Sequence, residues 1–132
     1  MEFEEMYRMA KEAAVRQCLN QRVKLGSTAC VILSRAGKRY IGKNLVAACG
    51  LGYCAEQAAV TAMLNDGACE IESLLVIDHE GVPLTPCGRC LELFTQISES
   101  NREAKILLSP TEFHTVAALY PIDWKQLPDK RS

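Results

Sequence analysis

Two short strings far apart in the chain, Cys54-Ala55-Glu56 and Pro86-Cys87-Gly88-Arg89-Cys90, constrain its fold more than any other feature. Cys-x-x-Cys on a first helical turn sets two sulfurs on one side, and Pro86 is placed to start that helix. Cys54, with a glutamate two residues on, fits the start of a second helix. Helix N-termini carry unpaired N–H groups and partial positive charge, which lower a thiol's pKa and favour the thiolate. A fold that uses all four side chains has to bring these two helix starts to one point. There, three thiolates fill three corners of a tetrahedron around zinc and leave the fourth for water, the open position of a catalytic site. The spacing therefore predicts one zinc ion per subunit on Cys54, Cys87 and Cys90, with Glu56 as general acid and base. A closed structural site, with Cys49 or Cys69 as fourth ligand, and a redox pair at Cys87 and Cys90 are the competing readings. The whole string is far more specific than its parts. His79 and His114 lack ligand spacing and are expected at the surface or in loops.

Composition excludes several other classes. A chain of 132 residues is the size of one domain with one core, and we treat 1–132 as that domain. A formal charge of −1 with scattered cations leaves no footprint for nucleic acid. The one small basic cluster, Lys125 to Arg131, reads as a solvated tail. No apolar run approaches the roughly 18–20 residues of a membrane span, and Glu2, Glu4 and Glu5 at the start are unlike a signal or transit peptide. Seven cysteines without such a signal point to a reducing, cytoplasmic setting rather than a disulfide framework. Cys18 and Cys30 fall in apolar patterns and are expected to pack as small hydrophobes.

Taken in order, apolar residues at Phe3, Met6, Ala10, Ala13, Ala14 and Cys18 predict an amphipathic helix over 3–18, with Glu2, Glu4 and Glu5 at its positive end. Thr28 to Leu33, the turn Ala36-Gly37 and Arg39 to Gly42 read as a hairpin, followed by a loop from Asn44 to Tyr53. Helices are predicted over Cys54–Leu64, Gly88–Ile97 and Thr115–Tyr120. Buried strands are predicted over Ser73–Ile77 and Ala104–Leu108, with a loop from Asp78 to Thr85. This alternation after an initial hairpin predicts an α/β fold, one mixed sheet with helices on its faces.

From about Ala29 to Trp124 the chain resembles the cytidine deaminase family in its small, three-cysteine form. The likeness is carried by Gly37-Lys38-Arg39-Tyr40-Ile41-Gly42-Lys43-Asn44, Cys54-Ala55-Glu56, Pro86-Cys87-Gly88-Arg89-Cys90 and Thr115-Val116-Ala117-Ala118-Leu119-Tyr120-Pro121. Such zinc deaminases have this layout, in some with histidine as the first ligand. The resemblance implies a three-layer α/β/α sandwich with a mixed sheet of four to five strands, and a homotetramer whose subunits complete one another's sites. It implies hydrolytic deamination of a cytosine nucleoside, with Asn44 on the ribose and the Ala55 backbone against the pyrimidine. Deamination of another amino-heterocycle, and a non-catalytic zinc-stabilised member, are the alternatives.

The departures from the family bear on substrate. Val46 stands where the nucleoside enzymes carry a ribose-gripping glutamate, and Gly26 aligns with their ring-stacking phenylalanine. Gln57 replaces an arginine, whose charge Arg89 is expected to restore beside the sulfurs. Pro110 to His114 looks too short for a full fifth strand and its turn. Fungal blasticidin S deaminases also lack that glutamate, which implies a modified sugar. Trp124 is expected to anchor the C-terminus in the core, or else to wall a neighbouring site.

Overall fold

In a computed structural model that describes residues 2–127, the chain runs α1 (Glu2–Ala13), β1 (Gln17–Cys18), β2 (Lys24–Ser34), β3 (Arg39–Val46), α2 (Ala55–Asn65), β4 (Ile71–Asp78), β5 (Pro83–Leu84), α3 (Gly88–Ile97), β6 (Lys105–Leu107), β7 (Phe113–Thr115) and α4 (Val116–Leu119). The body of the sheet follows the order β3-β2-β4-β6-β7, with the two-residue strands β1 and β5 added on β2 and β4. Only the β4–β6 pair is parallel, so the sheet is mixed.

Alternation along the central strands builds the layers. Ala29 and Val31 of β2 and Leu75 and Ile77 of β4 pack with Met6, Ala10 and Ala13 of α1. Their neighbours Cys30, Ile32, Leu74 and Val76 face the other way, onto Ala55, Ala59, Val60 and Met63 of α2 and Leu91 and Phe94 of α3. Helices thus cover both faces, which is why β4 reads as an unbroken apolar run although its pairing to β2 is antiparallel. The expected three-layer α/β arrangement is what the chain adopts.

Several boundaries differ from expectation. The first helix stops at Ala13, because the chain turns back to lay Gln17 and Cys18 against Leu25 and Lys24. Cys18 is therefore exposed on a strand instead of packing in the core, whereas Cys30 is fully buried as expected. The hairpin is longer than its β-branched segment suggested and takes in Asn44. The loop after Asp78 contains β5. The segment 110–114 proves long enough for a turn and β7, which pairs Phe113 with Leu107 and His114 with Ile106. His79 and His114 are both exposed. Residues 128–131 of the basic tail lie outside the described residues. Its first member, Lys125, is held by Glu92 and Asp123 instead of being free in solvent. Among the described residues no helix is long and apolar enough to cross a membrane.

Asn101, fully buried, ties α3 to the start of β4. Its side-chain oxygen accepts from the Ile71 N–H at 2.8 Å, and its amide donates to Phe94 O at 2.9 Å and Cys69 O at 3.0 Å. Asn101→Ala orphans all three backbone groups. The expected cost is about 2–4 kcal/mol, since an unmade buried hydrogen bond carries the full desolvation penalty. A fall in the urea midpoint with an unchanged slope is the result expected. A shift under about 0.5 kcal/mol would show that water replaces the amide.

Candidate metal centre

Cys54 is the N-cap of α2 and Cys87 the N-cap of α3, both in extended backbone, with Cys90 inside the first turn of α3. The fold brings the two helix starts together. The sulfurs of Cys54, Cys87 and Cys90 lie within 4.8 Å of one another, and those of Cys87 and Cys90 are 3.6 Å apart. A tetrahedral ion with metal–sulfur bonds of about 2.3 Å needs sulfurs about 3.8 Å apart, so the three fit around one zinc after a small contraction. Cys49 and Cys69 are exposed and join no such group among the described residues, which removes the closed four-cysteine arrangement.

Local sequence sets the details. Gln57 sits three residues after the Cys54 cap, and its side-chain oxygen accepts from the Cys54 N–H at 3.2 Å while the cap sulfur faces the Gln57 N–H. This is a capping box with cysteine in the serine position, and the Cys-x-x-Gln spacing was its legible signal. Gln57 thus fixes the α2 cap. Arg89, expected to bring its charge to the sulfurs, is exposed. Desolvation works against the Cys87 thiolate, but the Cys90 N–H, the Cys90 thiol, the Arg89 N–H and the Cys54 thiol together outweigh it and lower the Cys87 thiol.

The other groups are pushed the opposite way. Burial raises the Cys90 thiol far above the ordinary thiol range, and the neighbouring Glu56 carboxylate adds to the effect. Desolvation also raises Cys54. Glu56, buried on the first turn of α2, is itself raised by burial. Close-packed acids that oppose one another's ionisation form a donor set that a divalent cation would relieve. The chemistry of the residues and their spacing both fit zinc.

A cleft of about 330 Å³ opens beside these groups, lined by Glu56, Cys54, Cys87, Asn44, Val46 and Tyr53 among others. Asn44 reaches it from β3, held by a bond from the Thr28 N–H at 3.0 Å and one to the Ser27 hydroxyl at 2.8 Å. Ala55 is fully buried at the first position of α2, next to the cap. Gly26 carries no side chain for a physical reason. Its φ is +86°, and a Cβ there would lie 2.0 Å from the Val15 carbonyl oxygen, so no aromatic ring is supplied from this position.

Trp124 is 61% exposed, not in the core, and donates to Glu92 at 3.1 Å. Glu92 also accepts from Tyr120, from Gln96 at 2.6 Å and from Lys125 at 2.9 Å, so one carboxylate on α3 pins the C-terminal segment. These donors, Tyr120 first, push Glu92 down to about 2. Its folded pKa lies below the unfolded value of about 4.3, so its stabilisation is complete above that pH and is lost as pH falls towards 2. The gap in Tm between the native protein and Glu92→Gln should therefore narrow from pH 5 to about pH 2. A gap constant over that range would show that the carboxylate charge contributes nothing.

A mixed α/β/α sheet that aims two capped helix starts at one point, with three thiols and a buried carboxylate there, defines a thiol-rich metal-binding protein of the α/β class. Residues 1–103 match the family model described as the cytidine and deoxycytidylate deaminase zinc-binding region, and the chain belongs to that family. Among solved structures it is similar to cytidine deaminase from Mycobacterium tuberculosis, at 26% identity and TM-score 0.74 over 92% of this chain and 95% of that one. Cytidine deaminase from Mycobacterium leprae gives 24% and 0.75 over 92% and 99%. The enzyme from Bacillus anthracis gives 14% and 0.73 over 96% and 91%. The likeness to these last two is one of fold.

Proposed function

We propose that this protein is a hydrolase that deaminates a cytosine nucleoside to the uracil form and ammonia, using one zinc per subunit held by Cys54, Cys87 and Cys90. The observation that carries the reading is the convergence of three sulfurs, within 4.8 Å of one another, beside a buried glutamate in an open cleft. When bound, zinc supplies the Lewis acidity that brings a water's pKa down towards neutrality. Glu56 then does the proton work. It takes a proton from the attacking water, passes it to the ring nitrogen, and delivers the next one to the departing amino group. Burial raises its pKa, the direction that suits a carboxylate which has to take up a proton and then return it.

Asn44 keeps one N–H and one lone pair beyond its bonds to Ser27 and Thr28, and these we assign to a sugar hydroxyl. The Ala55 backbone, at the start of α2, lies against the pyrimidine. Val46 accepts no hydrogen bond, so the grip on plain ribose is weaker than where a glutamate stands, and a modified sugar is favoured. Exposed apolar residues lining the cleft, Val46 at 52% and Tyr53 at 42%, support a homotetramer in which neighbouring subunits cover it. Turnover of cytidine, deoxycytidine and blasticidin S, followed by ultraviolet absorbance in zinc-loaded protein, tests the reading. Activity on at least one is expected; inactivity on all three removes the substrate class while leaving the metal assignment standing.

A further inference from the structure

A second cavity, of about 460 Å³, lies beside the cleft and shares Val46 with it. Its lining includes Arg16, Lys24, Ser27 and Cys18 and no acidic residue. Its placement is built into the sheet. Lys24 pairs across β2 with Val46 on one side and with Cys18 on the other, so all three side chains project to one face. Gly42, Asn44 and Val46 alternate with their neighbours on β3 and share a face, and Gly42 of that set abuts α2. Lys24 therefore stands on the side of the sheet that carries the metal centre. Arg16 is set in place by Gly26, whose missing side chain lets Val15 and Arg16 close onto β2. Asn44 forms the ridge between the two spaces through its bond to Ser27. Among the described residues, neither Arg16 nor Lys24 has a carboxylate partner, whereas six of the other eleven basic side chains do.

Two unmatched cations on one wall of a cavity that continues from the sugar end of the cleft match an anion. We infer that Arg16 and Lys24 form a subsite for an acidic group, a phosphate or a carboxylate, carried on the sugar of the substrate. The inference rests on the deaminase reading above. It also gives Val46 a reason, since a glutamate there would repel such a group. Arg16 and Lys24 are specificity-determining residues, remote from the reacting carbon.

The test measures kcat/KM of zinc-loaded protein at low and at high salt for cytidine, cytidine 5′-phosphate, cytidine 3′-phosphate and the 5′-carboxylate of cytidine. At least one anionic substrate is expected to exceed cytidine by about tenfold, mainly through KM, with the advantage shrinking as salt screens it. Which one does so distinguishes phosphate from carboxylate. In the double variant Arg16→Gln, Lys24→Gln the ratio of anionic to neutral substrate should fall to near one, and Lys24→Arg should retain it. Turnover of cytidine with no gain for any anion, or a gain that the double variant keeps, overturns the subsite and spares the deaminase reading. Turnover of none of the four, in protein shown to hold zinc, overturns both.

Discussion

Glu56→Gln is expected to keep its zinc and its fold and to lose turnover by about 10²–10⁴-fold, the usual worth of a positioned acid–base group. Glutamine has the same shape but can neither take a proton from water nor return one. The fold should tolerate it well. Glu56 is only 6% exposed and its pKa is raised by burial, so in the metal-free protein its charge is disfavoured and a neutral amide removes that cost. Metal content by mass spectrometry and turnover by ultraviolet absorbance, measured on the same preparation, separate the two roles. A variant that retains zinc and works at near-native speed would mean that some other group moves the protons.

Gly42→Ala should be nearly as damaging, though this residue touches no substrate. A Cβ at position 42 would lie 2.2 Å from the Ala59 nitrogen, 2.5 Å from the Ala55 oxygen and 2.7 Å from the Ala58 carbonyl carbon. All three atoms belong to the backbone of α2, so no side chain can swing aside. The helix has to move by about 1 Å or more to restore ordinary contact distances. Overpacking of this kind costs about 1–3 kcal/mol and occasionally more. The helix that moves carries Ala55 and Glu56 behind the Cys54 cap, and displacements near 1 Å can cost about 10²-fold in rate. Thermal unfolding and zinc affinity should both fall, and kcat should fall more than KM rises. Native stability and rate in Gly42→Ala would show that β3 can slide off α2 without disturbing the metal centre.

Much of this was legible along the chain because it depends on residues close in sequence. Pro86-Cys87-x-x-Cys90 announces a helix start with two sulfurs on one side, and Cys54-Ala55-Glu56 announces another. The unbroken apolar run of Ser73–Ile77 announced a strand covered on both faces. Where local signals competed, the reading slipped. The apolar period of α1 continues to Cys18, yet pairing of Gln17 and Cys18 with β2 takes those residues out of the helix. Segment 110–114 shows little strand propensity, and β7 forms because β6 offers it an open edge. Trp124 reads as a core residue by type, but its N–H finds Glu92 at the surface of α3.

The sequence by itself determined the chemistry: three thiols, a glutamate two residues from the first of them, and two helix N-termini to hold them. Only the tertiary structure decided that these meet within 4.8 Å, that Cys49 and Cys69 stay outside, and that Arg16 and Lys24 line a cavity that shares Val46 with the cleft. The reason is one of range. Caps, turns and periodicity are set by neighbours a few residues apart, whereas the distance between residues 54 and 87, or 24 and 46, is set by how sheet and helices pack and by a single glycine that lets α2 approach β3.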